Sequence, residues 1–322
     1  MIVRSIVLAF LMRKNGKEEN PCKSAIYTNV IFILLNTGEI MINNKAVKSL
    51  LLLILIKGMI IMSVQETFSQ TQDVKIAMCQ IFCLDGDRSG NFVRIENAII
   101  EAKEQGAEII CFPETAIFGW VNSDAHERAF SIPGEDSDWL CALAKKYNVY
   151  LCIGLAEKNG EHLHDSVILI DDGGNILLKH RKINILTELM TPQYTPGNEV
   201  NAVDTRYGKI GLLICADSFL DEYVNKMKEL KPDLVLIPYG WAATEEKWPE
   251  HGKKLEKVVV KVAKTVNAPV IGTDLVGEIS KGPWTGRVFG GQSVAVDKNG
   301  QIMALARDRD RDVKVFQVET GK

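Results

Sequence analysis

From Val74 onward the chain alternates two signals: short apolar runs, and longer stretches whose apolar residues recur at helical spacing. Val74 to Phe82, Glu108 to Pro113, Val149 to Leu155, Leu234 to Pro238 and Pro269 to Thr273 are runs of strand length bounded by polar or turn residues. Phe92, Ile95, Ile99 and Ala102 fall on one helix face that Gly106 closes, and Leu255, Val258, Val259, Val262 and Val266 mark another. Asp136-Ser137-Asp138 can cap a third helix, and Asp221 a fourth that Pro232 stops. Asp171-Asp172-Gly173-Gly174 and Asn299-Gly300 read as hairpin turns. Strand and helix in alternation, with hairpins between, predict one mixed α/β domain whose helices cover its sheets.

Three of the apolar runs end on reactive side chains. Lys209 to Ile214, opened by Gly208, is a buried strand that stops at Cys215. Glu108 to Pro113 stops at Glu114, and Asn175 to Ile183 carries the basic cluster His180-Arg181-Lys182. Singly, each has a bland reading: a core cysteine, a solvated strand end, an exposed basic turn. Together they place an acid, an amine and a thiol where one cleft at a sheet edge can receive all three. A thiol is a weak nucleophile until its proton is removed. A carboxylate can remove it, and an ammonium can stabilise both the thiolate and a developing oxyanion.

Phe112-Pro113-Glu114, Arg181-Lys182 and Cys215-Ala216-Asp217 resemble, in order and spacing, the three signatures of the nitrilase superfamily, the carbon–nitrogen hydrolases. The resemblance covers about Val74 to Val318. It implies a four-layer α-β-β-α sandwich, commonly paired through a helix layer into homodimers or larger homo-oligomers. It also implies Cys215 as nucleophile, Glu114 as proton carrier, and Lys182 with the Ala216 N–H as oxyanion holders. A second glutamate often orients the family's lysine, and Glu188 on the following loop is the candidate. The loop sequence Thr187-Glu188-Leu189-Met190 departs from the commoner pattern, and surface charge is the alternative for Glu188. Cys-Ala-Asp differs from the Cys-Trp-Glu common in true nitrilases, which favours amides over nitriles. Trp120 follows Glu114, and Tyr239 and Trp241 follow the strand next in order after the one that ends at Cys215; they are expected as an apolar wall for substrate, with core or interface packing as the alternative. Asp217 and Ser218 are expected to shape the turn after the nucleophile.

With 322 residues, 46% of them hydrophobic, the chain can bury a large core. A net charge of −3 without a long basic run argues against nucleic acid as a partner; the resemblance implies a small amide-type molecule instead. Seven cysteines show no zinc-type spacing, so neither metal nor organic cofactor is expected. Residues 1–69 differ from the rest and are expected to be a leader, with residues 70–322 as the hydrolase domain. Within the leader, Met41 is a reasonable start. Lys45 and Lys48 precede the apolar pieces Leu50 to Ile56 and Met59 to Val64, and small residues follow near Ser69. That order predicts a signal peptide and export to a periplasmic or extracellular space. Lys57 interrupts the apolar run, and a core helix or an uncleaved anchor is the alternative, although the run is short for a full span and Lys57 would sit near its middle. Without a cleaved leader the protein would be cytoplasmic.

Overall fold

Alternate residues of the first strand serve two different cores. In β1 (Gln72–Gln80), Ala77 and Cys79 pack to one side, while Val74, Ile76 and Met78 pack to the other. A period of two sends successive side chains to opposite sheet faces, so a strand apolar at every position must be covered on both. The protein was analysed as a computed structural model that describes residues 72–321. The leader expected over residues 1–69 lies outside them.

The first sheet has strand order β15-β1-β2-β3-β4-β5, with β2 (Ile109–Cys111), β3 (Tyr150–Asn159), β4 (His162–Ile170), β5 (Ile176–Arg181) and β15 (Asp312–Thr320). The second runs β14-β13-β10-β8-β7-β6, with β6 (Ala202–Thr205), β7 (Gly208–Leu212), β8 (Leu234–Pro238), β10 (Val270–Thr273), β13 (Val294–Val296) and β14 (Ile302–Leu305). One face of the first sheet meets helices α1 (Arg88–Glu104) and α3 (Glu135–Tyr147) through Phe92, Ile95, Ile99, Leu140 and Leu143. Its other face shares a core with Ile210, Leu212, Leu234 and Leu236 of the second sheet. The far side of the second sheet is covered by α4 (Asp221–Glu229) and α5 (Glu250–Val266), whose Leu255, Val259 and Val262 are fully buried. The layers are therefore α-β-β-α, as the sequence resemblance implies. Between α1 and α3 lies the short α2 (Ala125–Arg128).

Strand direction decides where the reactive ends fall. β1, β2 and β3 run parallel, and β4 and β5 return antiparallel in turn, so β5 runs with β2. β7, β8 and β10 are likewise parallel. The carboxyl ends of β2 and β5 share one edge of their sheet, the usual position for ligand sites in α/β proteins.

Several local expectations need correction. Strand β4 reaches back to His162, with His164 and Asp165 as buried members of the sheet. Helix α3 begins one residue before Asp136. Gly134 occupies its cap position and donates its N–H to Ser137 Oγ at 2.9 Å, while Asp136 pairs with Arg88. Asp221 is the first residue of α4 and makes no capping hydrogen bond. A small third sheet, β11 (Val276–Glu278), β12 (Val288–Gly290) and β9 (Ala242–Ala243), has no counterpart in the sequence pattern. Among the described residues no helix is long and apolar enough to cross a membrane.

Candidate active site

Glu114 follows β2 on a segment that keeps pairing with β3. Phe112 N–H donates to Cys152 O at 2.8 Å, and Gly154 N–H donates to Pro113 O at 3.0 Å. The approach requires glycine at 154, where a Cβ would stand 2.6 Å from Glu114 Cα and 2.7 Å from Pro113 O. Thr115, immediately after the acid, has φ 45°, and Glu114 N–H reaches across to Tyr239 O of the second sheet at 3.3 Å.

Lys182 extends β5 by one residue. Ser166 pairs with Arg181, so the next pair outward is Asp165 and Lys182, with Lys182 N–H donating to Asp165 O at 2.8 Å. Directly opposed residues put their side chains on the same face. Here that face is the one Val167 and Leu169 present to the second sheet. Lys182 Nζ accordingly contacts Glu114 Oε1, and lies 3.3 Å from Asp165 Oδ2. Glu114, Asp165 and Lys182 are all buried.

Cys215 ends the apolar run of β7 with φ 40°, a conformation that costs a non-glycine residue about 1–3 kcal/mol. Asp217 overdetermines that turn. Its carboxylate accepts from Ile214 N–H at 3.1 Å, Ile183 N–H at 2.9 Å and Asn184 N–H at 2.8 Å, and bonds His180 Nε2 at 2.8 Å. Asn184 Nδ2 also donates to Ala216 O at 2.7 Å. The nucleophile's turn and the residues after Lys182 are thus tied through one buried carboxylate. Asp217→Ala would strip an acceptor from up to four donors, two buried and two partly buried, a buried one left unpaired costing about 1–3 kcal/mol. It is expected to cost at least about 3 kcal/mol in urea unfolding, and to lower kcat more than it raises KM. A variant with wild-type stability would show that the tie is dispensable.

The electrostatics follow from burial around one cation. Burial opposes the charge on Glu114, but the Lys182 ammonium and neighbouring hydrogen bonds outweigh it and hold this carboxyl below the usual range. Burial also opposes the charge on Lys182, yet Glu114, Asp165 and Cys215 together raise it well above an ordinary lysine. The Cys215 thiol is pushed well up by burial and by the Glu114 charge, against a smaller pull from Lys182 and the Gly240 N–H. At neutral pH the site therefore holds a carboxylate, an ammonium and an un-ionised thiol.

The remaining expected residues divide. Trp120 lines a narrow cavity with Asp165, Lys182, Leu189, Met190 and Tyr194, although Cys215 does not line it. Trp120 also packs against Gly240, where a Cβ would stand 2.5 Å from its ring. Tyr239 is not a pocket wall: it is fully buried beneath the site, its phenol 2.9 Å from Ser218 Oγ, which in turn donates to Cys215 O at 2.6 Å. Trp241 is half-buried outside that layer, stacked on His251 with ring centroids 5.1 Å apart. Glu188 does not reach Lys182. The turn Thr187–Leu189 buries Leu189 and leaves Glu188 exposed, without a hydrogen bond or ion pair among the described residues. Asp165, set by the β4–β5 register, is the second carboxyl at the lysine. Among the described residues no group of three His, Cys, Asp or Glu is placed to hold a metal.

The family model for carbon-nitrogen hydrolase matches residues 75–320. A bifunctional nitrilase/nitrile hydratase of Nicotiana tabacum is 31% identical over 167 residues, 46% of this chain and 48% of that protein. The chain thus spans about half the length of that relative. An omega-amidase of Mus musculus is 28% identical over 229 residues, 68% of this chain and 79% of that protein. Among solved structures, a glutamate-to-glutamine mutant of the amidase from Nesterenkonia sp. AN1, showing covalent addition of the acetamide moiety of fluoroacetamide at the active-site cysteine, superposes with a TM-score of 0.66 at 23% identity. That match covers 77% of this chain and 90% of the amidase. With the family model matched along the whole described domain and the layered fold shared, the chain belongs to the carbon-nitrogen hydrolase family.

Proposed function

We propose that the protein hydrolyses a non-peptide C–N bond of amide or carbamoyl type through a thioester on Cys215. The observation that carries this assignment is the buried contact of Lys182 with Glu114 beside the Cys215 thiol. Because the thiol is un-ionised at rest, Glu114 takes its proton as sulfur attacks the carbonyl carbon. The oxygen gains charge as the C–O π bond opens, and the Lys182 ammonium, with the Ala216 N–H, stabilises it. Collapse expels the nitrogen, which leaves as ammonia or an amine once Glu114 returns the proton. Water, deprotonated by the same carboxylate, then attacks the thioester carbon and releases the carboxylic acid, and the sulfur recovers its proton.

The test is ammonia release from primary amides, ω-amides, N-carbamoyl compounds and nitriles, with intact mass read for an acyl group on Cys215. Release from an amide or carbamoyl compound with a transient adduct is expected. Release from nitriles alone would move the assignment to nitrile hydrolysis, consistent with the tobacco relative. Product joined to an added amine would mark acyl transfer from the same thioester. No adduct and no turnover with any class would reject the proposal.

A further inference from the structure

Asp165 is the buried acid for which the mechanism above has no use. Its Oδ2 lies 3.3 Å from Lys182 Nζ, its side chain is 1% exposed, and its Oδ1 and Glu114 Oε2 are both buried without a donor. Each element packed around it contributes a polar group: Glu114 beyond β2, Lys182 beyond β5, Tyr194 from the loop that follows, and Cys215 beyond β7. The next charged groups are engaged elsewhere. Lys179 and Arg181 both bond Glu157, and His164 Nδ1 bonds Thr195 O at 2.7 Å. Among the described residues one ammonium therefore faces two buried carboxyls. Two ionised carboxyls would leave an uncompensated buried charge and two oxygens with no donor. One proton held between them removes both penalties, as in paired carboxyls that cannot ionise together.

We propose that Asp165 is a positioning residue that acts in its protonated form, its hydroxyl donating to Glu114 while its carbonyl oxygen accepts from Lys182. Burial and the Glu114 charge push the Asp165 carboxyl well above its usual range, in the direction this requires. Two donors, Lys182 and Asp165, then fix the plane of the Glu114 carboxylate and leave its remaining lone pairs for the thiol proton. Lys182 keeps a single anionic partner, so its charge remains available to the oxyanion. The role in turnover rests on the function proposed above; the protonation state does not.

Asp165→Asn keeps a donor and an acceptor without charge, so kcat/KM should stay within about tenfold of wild type, whereas Asp165→Leu should lose about 100-fold through misplacement of the acid. Loss of the Asp165 proton at alkaline pH should lower wild-type kcat/KM by adding negative charge beside the thiol. The asparagine variant, which cannot ionise, should lack that limb. Equal damage from asparagine and leucine, in variants whose near-ultraviolet circular dichroism matches wild type, would overturn the protonated form. An undamaged leucine variant would overturn the positioning role. Infrared spectroscopy supplies a readout without substrate: the wild-type minus Asp165→Asn difference spectrum at neutral pH should show the carbonyl stretch of a neutral carboxylic acid, the subtraction removing any contribution from buried Asp274, whose carboxyl burial also pushes well up. Its absence from that difference overturns the proposal even if turnover is found. Its presence with no Cys215-dependent turnover leaves the proton in place and instead rejects the function.

Discussion

Cys215→Ala is expected to lower kcat/KM for any substrate the protein turns over by at least about 10,000-fold, with the fold and substrate binding retained. No other described cysteine can substitute. Cys79, Cys83, Cys111 and Cys152 are buried as Cys215 is, but neither Glu114 nor Lys182 is among the charges acting on their thiols, and Cys141 lies on the helix layer. The substitution should be mild structurally, because it removes one sulfur from a site 3% exposed and leaves the Asp217 tie intact. The backbone supplies a control. With φ 40° at this position, Cys215→Gly should be at least as stable as Cys215→Ala, since glycine relieves the left-handed strain that alanine keeps. Substantial turnover in either variant, or an acyl adduct on another residue, would remove Cys215 from the reaction.

How far the sequence reaches is seen by comparing Cys215 with Asp165. Cys215 and Glu114 end apolar runs, and the end of a buried strand has a recognisable edge in sequence. Lys182 was found with them because it closes a third run. Asp165 has no such edge. It lies among His162, Leu163, His164 and Ser166, a mixed stretch that reads as a turn, and only the pairing of β4 with β5 puts it opposite Lys182. A register shifted by one residue would have turned it away. Glu188 is the candidate that the family resemblance implies for the second acid at Lys182, and it does not fill that role because a single tight turn directs Leu189 inward and Glu188 to solvent. Asp217 was legible as a residue that shapes the nucleophile's turn. Its reach to the chain after Lys182 was not, since that crosses between two sheets. Tyr239 illustrates the same limit. Its position after a strand was clear, but not that its phenol would lie beneath Ser218 rather than face a substrate. The layers themselves were recoverable because alternating and continuous apolar runs state which faces must be covered.

Lys182→Met should separate catalysis from stability. Loss of the ammonium proposed to hold the oxyanion is expected to lower kcat/KM by about 1,000-fold. Removing one partner from a buried pair should also destabilise the protein by about 3–5 kcal/mol at neutral pH, because Glu114 and Asp165 remain buried without it. The pH dependence should change sign. In wild type the Glu114 carboxyl is depressed, so its contribution is present above the unfolded-state value and is lost as pH falls through the native one. Without Lys182, burial dominates and raises that carboxyl, so the variant loses stability as pH rises through the carboxylate range. Urea unfolding near pH 4 and near pH 7 should therefore show a smaller gap from wild type at the lower value. Adding Glu114→Gln to Lys182→Met should return much of the lost stability at neutral pH, since no unpaired charge is then left inside, while turnover stays absent. A gap of the same size at both pH values would mean that the ammonium does not hold Glu114 ionised. The proton transfer assigned to that carboxylate would then have no physical basis.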